Sequence, residues 1–393
     1  MVSNSAGSAS KLVAAYRGVA LIALNTALVF LVLNGIAAWV LSVTPDPELE
    51  GALSYGLEEL ERVYPDRDRA EIERLLLETW SRTYAYEPYT QFKEGEVRGE
   101  FVNVGAHGFR DTGHGLPWPP ADSGQGVFVF GGSTTFGYGV ADAETIPARL
   151  QEELAKRCPP DVPVYNLARS NYFSTQENVL FQRLLARGVR PAMAVFVDGL
   201  NEFGHPDDDP KFTRRLEYMM RETPPQLARR LMVSQPLARL LKRALDRPNL
   251  SQSREAEPSE AGRIVERWLG NRRQIRAVAS DSGIDTLFVW QPIPAFGYDL
   301  RHHLFAGDAE SEAQASVLGY EDVDRLRRDP DGPLSEDFLW LADMQQGRRE
   351  PLYVDKVHYT AAFSIEIAAE IAKAVAPRLC PAGTSGAEPE AES

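Results

Sequence analysis

The stretch Val127-Phe-Val-Phe-Gly-Gly-Ser-Thr-Thr-Phe-Gly-Tyr-Gly139 decides how this chain is read. Four apolar residues, Val127 to Phe130, form a short continuous run of the kind found in strands buried on both faces. Gly131-Gly132 then lets the chain turn sharply and leaves Ser133 at the C-terminal end of the strand. In an open α/β sheet, that edge is where ligands bind. Taken alone, the stretch is equally a Gly/Ser/Thr turn joining a core strand to a helix, because short motifs match by chance. The remainder of the chain separates the two readings.

Towards the C-terminus the pattern alternates. Thr145 is placed to cap a helix with Pro147 in its first turn, and Ile146, Leu150 and Leu154 recur at four-residue spacing on a core-facing stripe. Val162 to Leu167 reads as a second strand, running into the turn Ala168-Arg-Ser-Asn-Tyr172. Ser174 and Glu177 have capping-box spacing ahead of a helix bearing Leu180, Leu184 and Leu185. Ala192 to Val197 is a third buried strand, ending in Asp198-Gly-Leu-Asn-Glu202. Such alternation implies parallel strands joined by right-handed crossovers. A fourth strand falls within 285–294, residues 300–350 read as irregular, and Tyr353-Val-Asp-Lys-Val-His358 leads into a last helix with Ile367, Ile371 and Val375 inward. Residues 204–262 interrupt the alternation. There Leu227, Leu231, Leu237, Leu240 and Leu241 lie among Arg229, Arg230, Arg239, Lys242 and Arg243. That is a basic amphipathic pattern, suited to packing on its own domain, to a membrane surface or to a lid. Residues 246–260 read as a mobile polar loop, and 381–393 as a disordered acidic tail.

Towards the N-terminus, residues 1–17 form a polar start containing Lys11 and Arg17, and Gly18 to Val43 carries no charge. A bilayer span needs about 20 apolar residues, and a cleaved signal has a shorter core of about 7–15, so 18–43 reads as an uncleaved transmembrane helix. Basic residues before it and Asp46, Glu48 and Glu50 after it put the N-terminus in the cytoplasm and the rest in a periplasm or outside the cell. Residues 44–125 read as a connecting region. Leu57 to Trp80 is a charge-laced, solvated helix, and Tyr84 to Phe92 is an extended aromatic segment. In Val102-Asn-Val-Gly-Ala-His-Gly-Phe-Arg110, Asn103 and Arg110 either face a polar substrate or belong to a turn held by Gly105 and Gly108 with Phe109 as its plug. A core domain over 126–380 follows.

Composition sets exclusions. At 393 residues with a net charge of −14, the chain lacks the basic face of a general nucleic-acid binder. It has no zinc-spaced Cys/His cluster, Walker loop or Gly-x-Gly-x-x-Gly, so no metal or cofactor is expected.

The chemistry available is nucleophilic. A serine needs a base to take its proton, and the base needs an orienting group. His358 can be the base for Ser133, and Asp355 can accept from its other ring nitrogen. Oxyanion donors are the N–H of Ser133, an N–H in the turn after the second strand, and the Asn201 amide, all at strand C-termini. Each has a plainer alternative. Asp355-x-x-His358 can cap the last helix, and Asn201 can be a turn residue. His107, His114, His205, His302 and His303 read as surface or loop residues.

Gly131-Gly-Ser-Thr-Thr-Phe-Gly, Asn166-Leu-Ala-Arg-Ser-Asn-Tyr, Asp198-Gly-Leu-Asn-Glu and Asp355-x-x-His358 together resemble the four sequence blocks of the SGNH/GDSL hydrolases, from about Val127 to Leu379. The resemblance implies a flavodoxin-like three-layer α/β/α sandwich with a parallel sheet, preceded by the transmembrane helix. It implies Ser133 as nucleophile, Asp355 and His358 as the rest of a triad, and Ser133, Asn171 and Asn201 as oxyanion donors. Gly132, Gly199 and Arg110 are the substrate-contacting candidates. The anchor and the Asn103…Arg110 segment look like envelope-associated members found with polysaccharide biosynthesis. Two departures stand out: Gly132 replaces the usual Asp, and the glycine that donates to the oxyanion falls at Asn171, or at Ser170 one register earlier. In a flavodoxin-like order the first and last helices lie side by side, which places Cys158 and Cys380, at their ends, where a disulfide can form. The function implied is a serine esterase acting on an O-acyl group, acetyl on an envelope glycan being the expected ester. The alternatives are an O-acyltransferase using the same triad and a non-catalytic glycan-binding protein.

Overall fold

Alternation within the strands builds the sheet. In the computed structural model, β1 (Val127–Gly131), β2 (Val164–Asn166), β3 (Met193–Asp198), β4 (Asp285–Trp290) and β5 (Phe338–Trp340) pair in parallel in the order β2-β1-β3-β4-β5. Val127 lies opposite Met193, and Met193 opposite Asp285, so residues of like parity share a face across the central strands. One face is aliphatic: Val127, Val129, Val195, Val197, Leu287 and Val289 pack against the helices Ile146–Ala155 and Ala361–Leu379. The other is aromatic: Phe128, Phe130, Phe196, Phe288 and Trp290 pack against Ser174–Ala186, Ala261–Asp281 and Gln314–Arg328. Phe130, Phe196 and Phe288 stack as a cross-strand ladder, with centroids 4.7 and 5.3 Å apart. The result is a three-layer α/β/α sandwich in the flavodoxin-like order.

The described residues are 5–44, 57–121, 124–158, 162–220, 232–245, 256–307, 314–334 and 336–380. The chain forms two units, 1–47 with 215–251 and 48–214 with 252–393. In the first, the helix Ser5–Val43 includes 31 residues, Val13–Val43, long and apolar enough to cross a bilayer. The helix Pro236–Leu245 packs on it, and the Leu237 N–H donates to Asn34 Oδ1 at 3.1 Å. Of the amphipathic segment, Leu237 and Leu240 are half-buried within this unit and Leu241 is exposed. Leu227 to Leu231, residues 246–255 and the 381–393 tail lie outside the described residues.

Three expectations change in the second unit. Residues 57–121 are not a connector. Pro65 divides the expected helix into Leu57–Val63 and Arg69–Trp80, and Leu60, Val63, Ile72, Leu75 and Leu76 are buried with Phe136, Tyr138 and Val354 of the sheet domain. The 300–350 segment is not irregular. It contains Gln314–Arg328 and β5, which are hard to read because β5 is three residues long and the helix buries only a narrow face of Ala315, Gly319, Tyr320 and Val323 among charges. Ser174 and Glu177 form no capping box. Glu202 accepts from the Ser174 N–H at 2.7 Å and its hydroxyl at 3.0 Å, which leaves Glu177 directed at Asp198. Thr145 does cap its helix, accepting from the Ala148 N–H at 3.3 Å.

On the aliphatic face, the helices Ile146–Ala155 and Ala361–Leu379 pack together, and Cys158 and Cys380 beyond their ends are disulfide-bonded with Cα atoms 5.6 Å apart. The bond closes a loop of 222 residues, so Cys158→Ser is expected to lower stability by about 2–5 kcal/mol in chemical denaturation. Alkylation of unfolded, non-reduced protein should find no free thiol, and labelling of both cysteines would remove the bond.

Candidate active site

Ser133 is presented by a tight turn. Gly132 precedes the single helical turn Ser133–Phe136, and Gly137, at φ 95°, ends it. As the first helical residue, Ser133 has an N–H with no intrahelical acceptor. Arg110 braces this turn from behind. Its Nε donates to Asp142 Oδ1 at 2.8 Å, Nη1 donates to the Phe136 carbonyl at 3.0 Å and to that of Gly137, and Nη2 donates to Val140 O at 2.7 Å. Asn103 donates from Nδ2 to the same Asp142 at 2.8 Å. Arg110 and Asn103 are therefore structural supports and not substrate contacts: their polar groups are used by buried backbone and by Asp142.

His358 and Asp355 arrive on the loop before the last helix. Ser133 Oγ lies 2.8 Å from His358 Nε2, and His358 Nδ1 lies 2.7 and 2.9 Å from the two oxygens of Asp355. Asp355 Oδ1 also accepts from the N–H groups of Val357 and His358, both at 2.9 Å. Burial alone would raise the Asp355 pKa, but His358 beside it and these N–H donors outweigh burial and hold the carboxyl below its ordinary range. An ionised carboxylate only accepts, so Nδ1 carries the imidazole proton and the Nε2 lone pair faces the serine hydroxyl. Tyr138 stacks on the imidazole with centroids 4.9 Å apart, and the edge of Trp80 closes in at 5.9 Å.

The turn after β2 carries Ser170 and Asn171, the two candidates for the missing glycine's place. The Ser170 N–H donates to Glu94 Oε1 at 2.9 Å and is buried, so it is not free for a ligand. Asn171 takes the left-handed conformation at φ 57°, one that Asn tolerates better than most residues, and lines the same cleft as Ser133 and His358. Asn201, after β3, donates from Nδ2 to Tyr172 O at 2.7 Å, which aims the amide and leaves its second hydrogen available. Gly132 is where Asn201 approaches closely: a Cβ there would lie 2.1 Å from Asn201 Nδ2. The Asp usual in the motif has no room here. Gly199, at φ 128°, packs against the Tyr320 hydroxyl, where a Cβ would lie 2.4 Å away, so it is a packing residue and not a substrate contact. The cleft measures ≈ 380 Å³ and is walled by Leu200, Phe203, Ile293, Pro294 and Val357.

Several supporting residues were not legible. Glu94 also pairs with Arg82 at 3.2 Å, and Arg82 lies over the Phe136 ring at 4.1 Å, so the 57–121 segment underpins both the turn after β2 and the turn that carries Ser133. Gln291, after β4, accepts from Thr134 Oγ1 at 2.6 Å and from the Tyr359 hydroxyl at 3.1 Å, which ties the nucleophile turn to the residue after His358. His205 and His303 lie in loops, as read, but are buried there, whereas His107 and His114 are exposed. His205 stacks on Phe173 at 4.4 Å, with Nε2 3.1 Å from the Asn171 carbonyl oxygen.

No protein-family model matches the chain, and no curated protein does. Solved structures with a similar fold do match. A lipase/acylhydrolase from Enterococcus faecalis is 12% identical with a TM-score of 0.36, over 65% of this chain and 96% of that one. A GDSL-like lipase from Bacteroides thetaiotaomicron is 12% identical with a TM-score of 0.33, over 65% and 89%. A carbohydrate esterase family 2 enzyme from Corynascus thermopiles, with a carbohydrate-binding domain, is 12% identical with a TM-score of 0.36, over 73% and 72%. These superpositions are loose, and the functional reading rests on the side-chain geometry.

Two expectations follow from the oxyanion elements and the carboxylates near them. Gly132→Ala should displace the Asn201 amide and, like Asn201→Ala, lower kcat towards a model ester by about 10²–10³ while circular dichroism is unchanged. Burial, then the neighbouring charges of Asp198 and Glu202, pushes the Glu177 carboxyl well above its ordinary pKa. The native state therefore holds a proton on this group that the unfolded chain has released, and the group's contribution to stability is lost as pH rises from about 4 through the raised native pKa. Thermal melts of Glu177→Gln should show a flatter pH dependence and a higher Tm than wild type on the alkaline side. A Glu177→Gln variant whose Tm follows pH just as the wild type does would contradict the raised pKa.

Proposed function

We propose that this chain is a membrane-anchored serine esterase of the SGNH/GDSL type, which hydrolyses an O-acyl ester through an acyl-enzyme. The single observation that carries the reading is the series Ser133 Oγ, His358 Nε2, His358 Nδ1 and Asp355, linked at 2.8 and 2.7 Å. The same distances weigh against a binding protein that only kept the fold, because such a protein has no reason to hold a serine hydroxyl on an imidazole lone pair.

The steps follow from the geometry. Ser133 Oγ adds to the ester carbonyl carbon as its proton passes to His358 Nε2, and the carbonyl π electrons move onto oxygen. That oxyanion is met by the N–H groups of Ser133 and Asn171 and by the free Asn201 amide hydrogen. Asp355, held ionised, stabilises the imidazolium. Collapse of the tetrahedral intermediate breaks the bond to the leaving alcohol, which takes the proton from Nε2. Water then repeats the cycle on the acyl-enzyme and restores Ser133.

The helix Val13–Val43 supports an anchor, and Lys11 and Arg17 ahead of the uncharged run support a cytoplasmic N-terminus with the catalytic unit on the far side. The disulfide suits an oxidising compartment of that kind. An ester on an envelope glycan, acetyl included, fits such a location.

The test is hydrolysis of p-nitrophenyl acetate by the full chain in detergent, with covalent labelling by a fluorophosphonate. Ser133→Ala should abolish labelling and lower kcat by at least about 10³-fold with the fold retained. Labelling and turnover unchanged in Ser133→Ala would exclude Ser133 as the nucleophile.

A further inference from the structure

We propose that His303 is a positioning residue that holds the catalytic base through the peptide between Asp355 and His358, an inference that rests on the esterase reading. His303 is 6% exposed and lies outside the triad. Its Nδ1 faces the Phe305 N–H at 3.1 Å, and its Nε2 faces the Lys356 carbonyl oxygen at 3.2 Å. A backbone N–H only donates and a carbonyl only accepts, so these two partners define the tautomer. Nδ1 accepts, and Nε2 carries the proton and donates to Lys356. Burial lowers the His303 pKa, which keeps this neutral form. Its ring stacks on Tyr353 with centroids 5.0 Å apart and planes 12° from parallel, and the Tyr353 hydroxyl donates to the buried Gln345.

The contact matters because of what the turn must do. Residues 355–358 are drawn together from inside by Asp355 Oδ1, which accepts from the N–H groups of Val357 and His358, and by the Val354 N–H on His358 O at 2.8 Å. Those bonds set the internal shape of the turn. They do not set its orientation towards Ser133, which belongs to a different strand end. His303 grips the turn from outside, at the carbonyl between the two triad members, and is itself held by Phe305 and Tyr353. Loss of that grip lets the turn tilt as a body, with Asp355 and His358 still paired while Nε2 drifts from Ser133 Oγ. A misplacement of about 1 Å at this position costs about 10²-fold in rate. His303 itself does not line the cleft, whereas Lys356 and Val357 of the turn do, so a tilt reaches the cleft wall as well as the base.

The experiment measures the second-order rate of fluorophosphonate labelling of Ser133, together with kcat and KM for p-nitrophenyl acetate, on the full chain in detergent. His303→Phe keeps the ring on Tyr353 and removes the donor. It should slow labelling and lower kcat by about 10-fold or more. His303→Gln places an amide N–H where Nε2 stood and should recover most of the rate. If His303→Phe does not fold by circular dichroism, His303→Asn, whose amide reaches only as far as Nδ1, takes its place with the same expected slowing. A donor-less variant that labels at the wild-type rate, or a Gln variant as slow as Phe, overturns the proposal. Absence of labelling in the wild type would remove the esterase reading itself and this proposal with it.

Discussion

The site depends on one hydrogen bond, between Ser133 Oγ and His358 Nε2, made by residues 225 positions apart at 2.8 Å. No local preference can bring such a pair together. The parallel sheet does so, because every strand in it delivers its following loop to the same edge. Ser133 follows β1, Asn171 follows β2, Asn201 follows β3, Gln291 follows β4 and His358 lies beyond β5. The aromatic ladder of Phe130, Phe196 and Phe288 keeps the three central strands in register, and a slip of one residue would send those rings to the aliphatic face.

Around that hydrogen bond, charged groups hold backbone in place. Arg110 reaches the carbonyls of Phe136, Gly137 and Val140, Glu94 takes the Ser170 N–H, and Glu202 takes the Ser174 N–H. Each of these charges is buried and paired, with Asp142, Arg82 and Arg267 respectively. A buried pair of this kind adds little net stability, but removing one partner costs about 3–5 kcal/mol. Such pairs define where a turn sits more than how tightly the domain folds. Two of the three draw on residues 57–121, so the segment before the sheet belongs to the same compact unit as the sheet.

At the end of β3 the pairing of charges is less complete. Asp198 accepts from Trp268 Nε1 at 3.0 Å, yet it also faces Glu177, and burial with the nearby Glu202 charge pushes its pKa well up. Two buried carboxyls side by side are tolerable only when they share a proton. Asp198 precedes Asn201 by three residues at the same end of β3.

Much of this was legible in one dimension. The apolar runs Val127 to Phe130 and Ala192 to Val197, the turn glycines, and the Ser, Asn and Asp-x-x-His blocks carry the fold and the hydrogen-bonded Ser133, His358 and Asp355. They do so because both depend on short-range signals: a continuous apolar run, a turn residue, a fixed spacing of three. What was not legible depends on approach between distant atoms. The role of Arg110 as a brace, the use of the Ser170 N–H by Glu94, the exclusion of a side chain at Gly132 and the burial of His303 are each decided by a partner far along the chain. The β5 strand and its preceding helix were missed for a related reason, since three residues and a narrow buried face gain their identity only from the neighbours that cover them. Sequence by itself determined which chemical groups reach the edge of the sheet, because strand direction and turn position are local properties. Tertiary structure alone decided which of those groups face the cleft and which are used up as supports, because hydrogen-bond donors are allotted by proximity in space.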